Sequence, residues 1–356
     1  MKKKILISTG GSGGHVVPAT IFYEHLKDKF DVILVSDYRG TQFLNKNKYD
    51  VEIFNTPKLT KNIFLLPLKI ILLLNLIFKS IFFLKRKKIE ILISTGGYMS
   101  LPLCIASKLL NIKLFLFEPN MVLGRSNKFF INSCKKIFCY SKNIKNLSKK
   151  LKIKISLIPA LLRIEFYKNK VNQDISEQVN LLIIGGSQGA KIFDTMIQNT
   201  IIELSKKFKI QIFQQTSFNN HSNLRNFYSK NKITHELFDF NEDILDFMSR
   251  SNICITRAGA STLAELTFLN IPHIAIPLPT AKDNHQFENA LFYQQLGCNW
   301  ILTQNEINNI NLLEKLVNII ENKEEYLDKK RNMKNFNYQN TWNNINQKII
   351  TTINEN

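Results

Sequence analysis

At 356 residues with 44% hydrophobic side chains, the chain is too apolar for a disordered protein and long enough for two cores of ordinary size. Its 48 Lys and Arg against 28 Asp and Glu give a formal charge of +20. That balance favours anionic partners: nucleotides, nucleic acid or an acidic membrane surface. Lys, Asn and Ile dominate, a bias that an AT-rich genome produces by itself, so charge alone selects none of the three. The cysteines Cys104, Cys134, Cys139, Cys254 and Cys298 are odd in number and lack Cys-x-x-Cys spacing. This argues for reduced thiols rather than a zinc site or a disulfide framework. After Met1-Lys2-Lys3-Lys4 the apolar run is too short for a signal peptide.

In chain order, short apolar runs alternate with longer amphipathic stretches, the pattern of βαβ units around parallel sheets. The first half offers strands at Ile5–Ser8, Val32–Ser36, Ile89–Ser94, Leu114–Glu118, Lys136–Tyr140 and Ile155–Ile158. The second offers Leu181–Ile184, Ile210–Gln214, Ile253–Thr256, Pro272–Ile276 and Asn299–Leu302. Each half opens strand, glycine loop, helix: Ser8–Ala19 in the first and Gly185–Ala190 in the second. The expected fold is therefore α/β, with two doubly wound Rossmann-like domains facing across a cleft. The first spans 1–163 and the second 164–334, with a linker around Arg163–Glu177. A C-terminal helix at about 335–356 is expected to cross back to the first domain.

From Lys61 to Lys88 the chain is almost wholly apolar or basic, with no acid between Glu52 and Glu90. Ile63–Leu84 has the length of a membrane span. Pro67, Lys69, Asn75, Lys79 and Ser80 interrupt it, and it lies between two strands of one expected sheet. These features favour a helix resting its apolar, lysine-rimmed face on an anionic leaflet. Phe64, Leu65, Leu72, Leu73, Leu76 and Phe82 would dip in, while Lys69, Lys79, Lys85 and Arg86 meet head groups. A core helix and a true span are the alternatives.

Four kinds of loop carry chemistry. Gly10–His15 brings bare backbone N–H groups and a helix start to one place, with His15 as a base candidate. It is no P-loop, because no Gly-Lys-Ser/Thr follows, and the dinucleotide spacing fits poorly, with Asp37 the nearest ribose acid. A second glycine turn, Ser94–Pro102, and the polar stretches Phe117–Asn120 and Gly124–Lys128 also follow strands, where ligands of parallel sheets bind. In the second half, Thr256–Glu265 runs from a strand into a helix whose small residues admit a pyrophosphate. Glu265 there suits two ribose hydroxyls or simply the helix dipole. Asp283–Asn289 offers amides and carboxylates suited to sugar hydroxyls, or to solvent.

Gly-Gly-Ser-Gly-Gly-His, Gly-Gly-Tyr-x-Ser, Gly-Gly-Ser-Gln-Gly-Ala, Arg-x-Gly-Ala-x-Thr-x-x-Glu and Lys-Asp-x-x-Gln-x-x-Asn-Ala occur in this order between about residues 5 and 300. Together they resemble the MurG family of bacterial peptidoglycan glycosyltransferases. The resemblance implies a GT-B enzyme that moves GlcNAc from UDP-GlcNAc to the 4-hydroxyl of MurNAc in lipid I, inverting the sugar and forming lipid II. The first half would take the undecaprenyl-pyrophosphoryl-MurNAc-pentapeptide acceptor and the second the donor. By position, Ser12, Gly13, Gly14, Asn120, Arg163, Ser187, Ala260, Ser261, Thr262, Leu263, Ala264, Glu265 and Gln286 correspond to donor-contacting residues. The backbone near Phe240-Asn241 corresponds to the uracil contact, and His15 is the candidate general base.

No Asp-x-Asp appears, so no metal or other cofactor is expected, and nucleic acid is not an expected partner. A polyprenyl acceptor implies a peripheral enzyme on the cytoplasmic face of the inner membrane. Three departures stand out: Phe117-Glu118-Pro119-Asn120 for His-Glu-Gln-Asn, Pro159–Arg163 for Gly-Asn-Pro-Val-Arg, and His285-Gln286 for paired glutamines. The alternatives are a glycolipid synthase with a diacylglycerol acceptor, a UDP-sugar epimerase of similar architecture, and an inactive membrane-bound nucleotide-sugar scaffold.

Overall fold

The structure is a computed structural model that describes residues 2–45, 48–56, 64, 66–169, 174–186, 192–239 and 243–356. The chain divides into two units, Met1–Leu161 with Trp342–Asn356, and Leu162–Thr341.

The first unit is built on a seven-stranded parallel sheet. Its strands are β1 (Lys4–Ser8), β2 (Asp31–Ser36), β3 (Val51–Ile53), β4 (Ile91–Ser94), β5 (Lys113–Glu118), β6 (Lys136–Cys139) and β7 (Ile155–Leu157). They lie in the order β3-β2-β1-β4-β5-β6-β7, so the order reverses between β1 and β4. Ile5, Leu6 and Ile7 are wholly buried because β1 has a neighbour on each side and covered faces, which is why it reads as an unbroken apolar run. Phe22 of the Gly13–Leu26 helix packs edge-on against Phe117 and tilted against Phe138, filling the core beside β5 and β6.

The second unit repeats the plan with β8 (Gln178–Ile184), β9 (Lys209–Gln215), β10 (Thr234–Phe238), β11 (Ile253–Thr256), β12 (His273–Ala275) and β13 (Asn299–Ile301). Their order is β10-β9-β8-β11-β12-β13, all parallel, with the reversal between β8 and β11. All eleven expected strands are present. The two unforeseen ones, β3 and β10, are edge strands. β10 carries Thr234, His235 and Glu236 at an edge where one side needs no apolar cover.

The last helix starts later than expected. Asn335 and Phe336 end the Lys323–Phe336 helix of the second unit, where Asn337 turns the chain and its Nδ2 donates to Met333 and Thr267 carbonyls. The Trp342–Asn354 helix belongs to the first unit and buries Ile345, Ile349 and Ile353, one stripe at four-residue spacing. Trp342 stacks on His25 of the Gly13–Leu26 helix with ring centroids 3.7 Å apart.

Leu66–Arg86 forms one 21-residue helix, and Pro67 sits in its first turn, where a missing N–H breaks no intrahelical bond. Only 11% of its 18-residue apolar stretch is buried, so the core-helix alternative does not hold. Among the residues expected to face outward, Phe64, Leu72 and Phe82 are exposed, Leu73 and Leu76 are half-buried, and Leu65 lies outside the described residues, as do Lys61–Ile63. The exposed apolar surface also includes Leu68, Ile70, Ile71, Leu74 and Phe78.

Candidate active site

Because all strands of a parallel sheet end at one edge, the loops after β1 and β4 emerge side by side where the strand order reverses. The loop after β1 enters the Gly13–Leu26 helix through Ser12, an extended N-cap whose side chain makes no cap bond. The N–H groups of Gly13 and Gly14 are therefore first-turn donors without intrahelical partners. His15 is the third residue of that helix. Its Nδ1 lies 2.8 Å from the carbonyl oxygen of Thr95, at the start of the loop after β4. A carbonyl only accepts, so Nδ1 carries the proton of the neutral ring and Nε2 keeps its lone pair.

Gly96 and Gly97 make room for that ring. Their φ angles are +89° and +82°, which disfavour any side chain. A Cβ on Gly97 would stand 3.3 Å from His15 Cδ2, and one on Gly96 3.4 Å from Cε1.

The end of β5 brings Glu118, whose buried carboxylate serves its own loop. Oε1 accepts from the N–H and Nδ2 of Asn120 at 3.2 and 2.9 Å, and Oε2 from Gly124 N–H and Asn127 Nδ2 at 2.7 and 3.0 Å. Asn120 is thus held in place by the strand end that precedes it. Phe117, which replaces the family histidine, is a core residue packed edge-on against Phe22 and Tyr140. The departure removes a polar ring from a position that faces the interior here.

In the second unit, Ser187 and Asn241, with Phe240, lie outside the described residues. Gly185 leaves β8 with its N–H donating to Gln215 Oε1 at 3.0 Å. Below it the buried carboxylate of Asp194 accepts from Gln214, Thr216 and Asn220, and Tyr228 donates to Gln214. This network is not among the sequence-based expectations. Its signal was three polar residues in a row, Gln214-Gln215-Thr216, where β9 ends.

β11 runs into Arg257, which is not a free cation. Its guanidinium donates to the carbonyls of Ile276 and Pro277 and to Gln304 Oε1, bracketing the loop from inside. The Ala260–Phe268 helix then starts at Gly259 with no side-chain cap. Ala260, Ser261 and Thr262 are half-exposed, with first-turn N–H groups. Leu263 and Ala264 are buried, and Leu263 N–H already donates to Gly259, so these two serve packing. Burial pushes the Glu265 carboxyl above the ordinary carboxylate range, and the nearby Arg163 guanidinium opposes that rise.

Arg163 caps the short Ile164–Lys168 helix and lies 5.2 Å from the Phe166 ring centroid; its buried Nε has no hydrogen-bond partner among the described residues. Gln286 has its carbonyl oxygen engaged by Leu278 N–H at 3.0 Å. Just before it, Asp283 and Asn284 both adopt left-handed backbone, φ +52° and +54°. Two such residues in succession mark strain of the kind kept at ligand sites. His285 turns back to the Lys282 carbonyl, and Asn289 Nδ2 donates to Ala258, tying this helix to the loop after β11.

Residues 5–139 match the glycosyltransferase family 28 N-terminal domain and residues 180–345 its C-terminal domain. A relative from Pelagibacter ubique (strain HTCC1062) is 62% identical over 356 residues, all of both chains. One from Rickettsia bellii (strain RML369-C) is 34% identical over 90% of this chain and 91% of its own. Both are named UDP-N-acetylglucosamine--N-acetylmuramyl-(pentapeptide) pyrophosphoryl-undecaprenol N-acetylglucosamine transferase. Among solved structures, Acinetobacter baumannii MurG superposes with a TM-score of 0.76 at 21% identity, covering 99% of this chain and 100% of that one. A UDP-GlcNAc 2-epimerase from Neisseria meningitidis gives 0.68 at 15% identity, covering 99% and 100%. Fold likeness is thus shared by transferases and epimerases, whereas identity along the whole chain is not. The chain belongs to the UDP-N-acetylglucosamine--N-acetylmuramyl-(pentapeptide) pyrophosphoryl-undecaprenol N-acetylglucosamine transferase family, the MurG branch of glycosyltransferase family 28.

Proposed function

We propose that this chain transfers GlcNAc from UDP-GlcNAc to the 4-hydroxyl of MurNAc in undecaprenyl-pyrophosphoryl-MurNAc-pentapeptide, converting lipid I to lipid II. Family membership at 62% identity carries the substrate pair. The tautomer of His15 carries the chemistry, because Nδ1–H donates to the Thr95 carbonyl and leaves the Nε2 lone pair to act as the base. Nε2 removes the hydroxyl proton as the acceptor oxygen attacks C1 of GlcNAc opposite the departing UDP. One C–O bond forms, the bond from C1 to the β-phosphate oxygen breaks, and the anomeric centre inverts to a β1→4 link.

Charge collects on the β-phosphate as that bond breaks. The uncapped start of the Ala260–Phe268 helix and the Arg163 guanidinium are the groups that meet it. Glu265 accepts from the ribose hydroxyls, and Gln286, with its carbonyl already bound, presents its NH2 to the sugar. The Leu66–Arg86 helix has a reason in this reading. The acceptor's polyprenyl tail stays in the bilayer, so the enzyme works as a peripheral protein on the cytoplasmic leaflet. Phe78 and Phe82 insert at the interface while Lys79, Lys85 and Arg86 meet anionic head groups.

Transfer of labelled GlcNAc to a lipid I analogue, with diacylglycerol as rival acceptor, tests the assignment. Product from the first and none from the second is expected. Transfer to diacylglycerol would favour the glycolipid synthase, and no transfer to either would favour an inactive scaffold.

A further inference from the structure

Asp37, at the end of β2, occupies the place where a dinucleotide fold keeps a ribose-binding acid. Its carboxylate is fully engaged elsewhere. Oδ1 accepts from the N–H of Gly11 and of Gly40, each at 2.8 Å, while Oδ2 accepts from Arg39 Nε and Nη2 at 3.0 and 2.8 Å. The side chain is buried, so no room remains for a ligand hydroxyl. Burial alone would raise its pKa, but the two N–H groups and the guanidinium hold it below the ordinary range, so it is ionised at neutral pH.

The surroundings are shaped for this contact. A Cβ on Gly10 would come within 2.7 Å of Asp37 Oδ1, and one on Gly40 within 2.9 Å of Gly10 Cα and 2.2 Å of Ser36 Oγ. The glycine loop and the Tyr38–Thr41 turn therefore meet backbone to backbone, with Asp37 as the clasp. One residue past the clasped Gly11 stands Ser12, whose carbonyl accepts from the N–H of His15 at 3.0 Å and of Val16 at 3.1 Å. The start of the helix that carries His15 is thus fixed from one side by Asp37. From the other side, Thr95 fixes the imidazole.

We propose that Asp37 is a positioning residue for the transfer reaction: by pinning Gly11 it sets the entry of the Gly13–Leu26 helix and keeps His15 Nδ1 on Thr95. The proposal rests on His15 being the base. Without the clasp the helix start shifts, Nδ1 leaves the carbonyl, and the lone pair is no longer confined to Nε2. Displacements of about 1 Å at a reacting group cost on the order of a hundredfold in rate.

Single-turnover and steady-state transfer to a soluble lipid I analogue test this in Asp37→Ala, Asp37→Asn and Arg39→Gln, each with and without His15→Ala. Asp37→Ala is expected to lower kcat about 30- to 100-fold with KM for UDP-GlcNAc held within about twofold. Asp37→Asn keeps an oxygen for the two N–H groups and should recover part of the loss. It also serves as the test variant should the alanine form fail to fold. Arg39→Gln leaves both backbone bonds and should stay within about threefold.

In the His15→Ala background every Asp37 substitution should cost less than about twofold, since there is no base left to position. An equal fold-loss in both backgrounds would overturn the proposal, as would a donor KM that rises with the fall in kcat. The imidazole ¹⁵N shifts of His15 supply a second readout: Nδ1–H in the parent and mixed tautomers in Asp37→Asn. Unchanged shifts in a slowed variant would also overturn it. A parent without transfer activity, or a fully active His15→Ala, would instead defeat the assignment of reaction or base on which the proposal stands.

Discussion

In both units the first six strands lie in the order third-second-first-fourth-fifth-sixth, with a glycine turn after the first, yet the loops differ in which polar groups they leave free. In the first, Asp37 and Glu118 at the strand ends spend their carboxylates on loop N–H groups and side-chain amides, and Thr95 fixes the histidine ring. In the second, the buried ions are withdrawn into the scaffold, with Arg257 on internal carbonyls and Asp194 on neighbouring amides and a hydroxyl. Its helix start is left uncapped and Arg163 Nε unpartnered among the described residues. On the proposed mechanism, the unit that supplies the base needs one side chain held still, and the unit that takes the anionic nucleotide needs donors left free to bind it. The same topology supports both because the difference lies in a few residues after each strand.

Substituting one residue in each unit should separate these roles. His15→Ala is expected to lower kcat by about a hundredfold or more while donor affinity by calorimetry stays unchanged. Glu265→Ala should do the reverse, weakening UDP-GlcNAc binding by about tenfold through loss of hydrogen bonds to a charged acceptor. Because the Glu265 carboxyl sits above its ordinary range, donor binding by the parent should also weaken on acidification at a higher pH than an ordinary glutamate would give. Near-normal turnover in His15→Ala, or unchanged donor affinity in Glu265→Ala, would erase the contrast.

Surface chemistry also divides the units. The first carries Leu68, Ile71, Leu74, Phe78 and Phe82 on one helix, whereas the exposed Phe218, Ile310 and Tyr338 of the second stand on separate elements. Phe78→Ser with Phe82→Ser should reduce flotation with anionic liposomes by about tenfold, the scale of partly burying two aromatic side chains. Turnover of a water-soluble acceptor should not change. Flotation that ignores these substitutions, or that is equally strong with neutral lipid, would remove the membrane role from this helix.

Sequence legibility followed packing. Strands with neighbours on both sides announce themselves as unbroken apolar runs, as Ile5-Leu6-Ile7 does, whereas β3 and β10 at the edges carry too little apolar signal. The Leu66–Arg86 helix was visible, but its outward face only in part: Leu72 and Phe82 are exposed as expected while Leu73 and Leu76 are half-buried, because a mostly apolar helix has no sharply bounded stripe. His15 and its loop could be read locally. Its tautomer could not, since the deciding carbonyl belongs to Thr95, 80 residues away. Asp37 was legible only as an acid after a strand. That its partner is Gly11 rather than a ribose depends on the close approach of Gly10 and Gly40.

The smallest expected effect sharpens the comparison at the level of stability. Each unit buries one histidine whose pKa burial lowers to about 4: His25 in the first and His273 in the second. His273 still has its Nδ1 on the Ile271 carbonyl, whereas neither ring nitrogen of His25 has a partner among the described residues. The unfolded chain takes up a proton near the ordinary value of about 6.5 and the folded one does not until about 4. Stability is therefore complete above the upper value and falls as pH drops through the window, by about 2 kcal/mol per histidine at pH 5. The two tryptophans report on separate units, Trp342 against His25 and Trp300 in the second unit. In a Trp300→Phe background, the Trp342 melting midpoint should fall by about 5 °C between pH 7.5 and pH 5. Adding His25→Phe, which keeps a ring against Trp342 but cannot titrate, should close most of that gap. A gap that persists would place the acid sensitivity of the first unit outside His25; Asp37, held below the ordinary carboxylate range, stays ionised throughout this window and would contribute only below about pH 4.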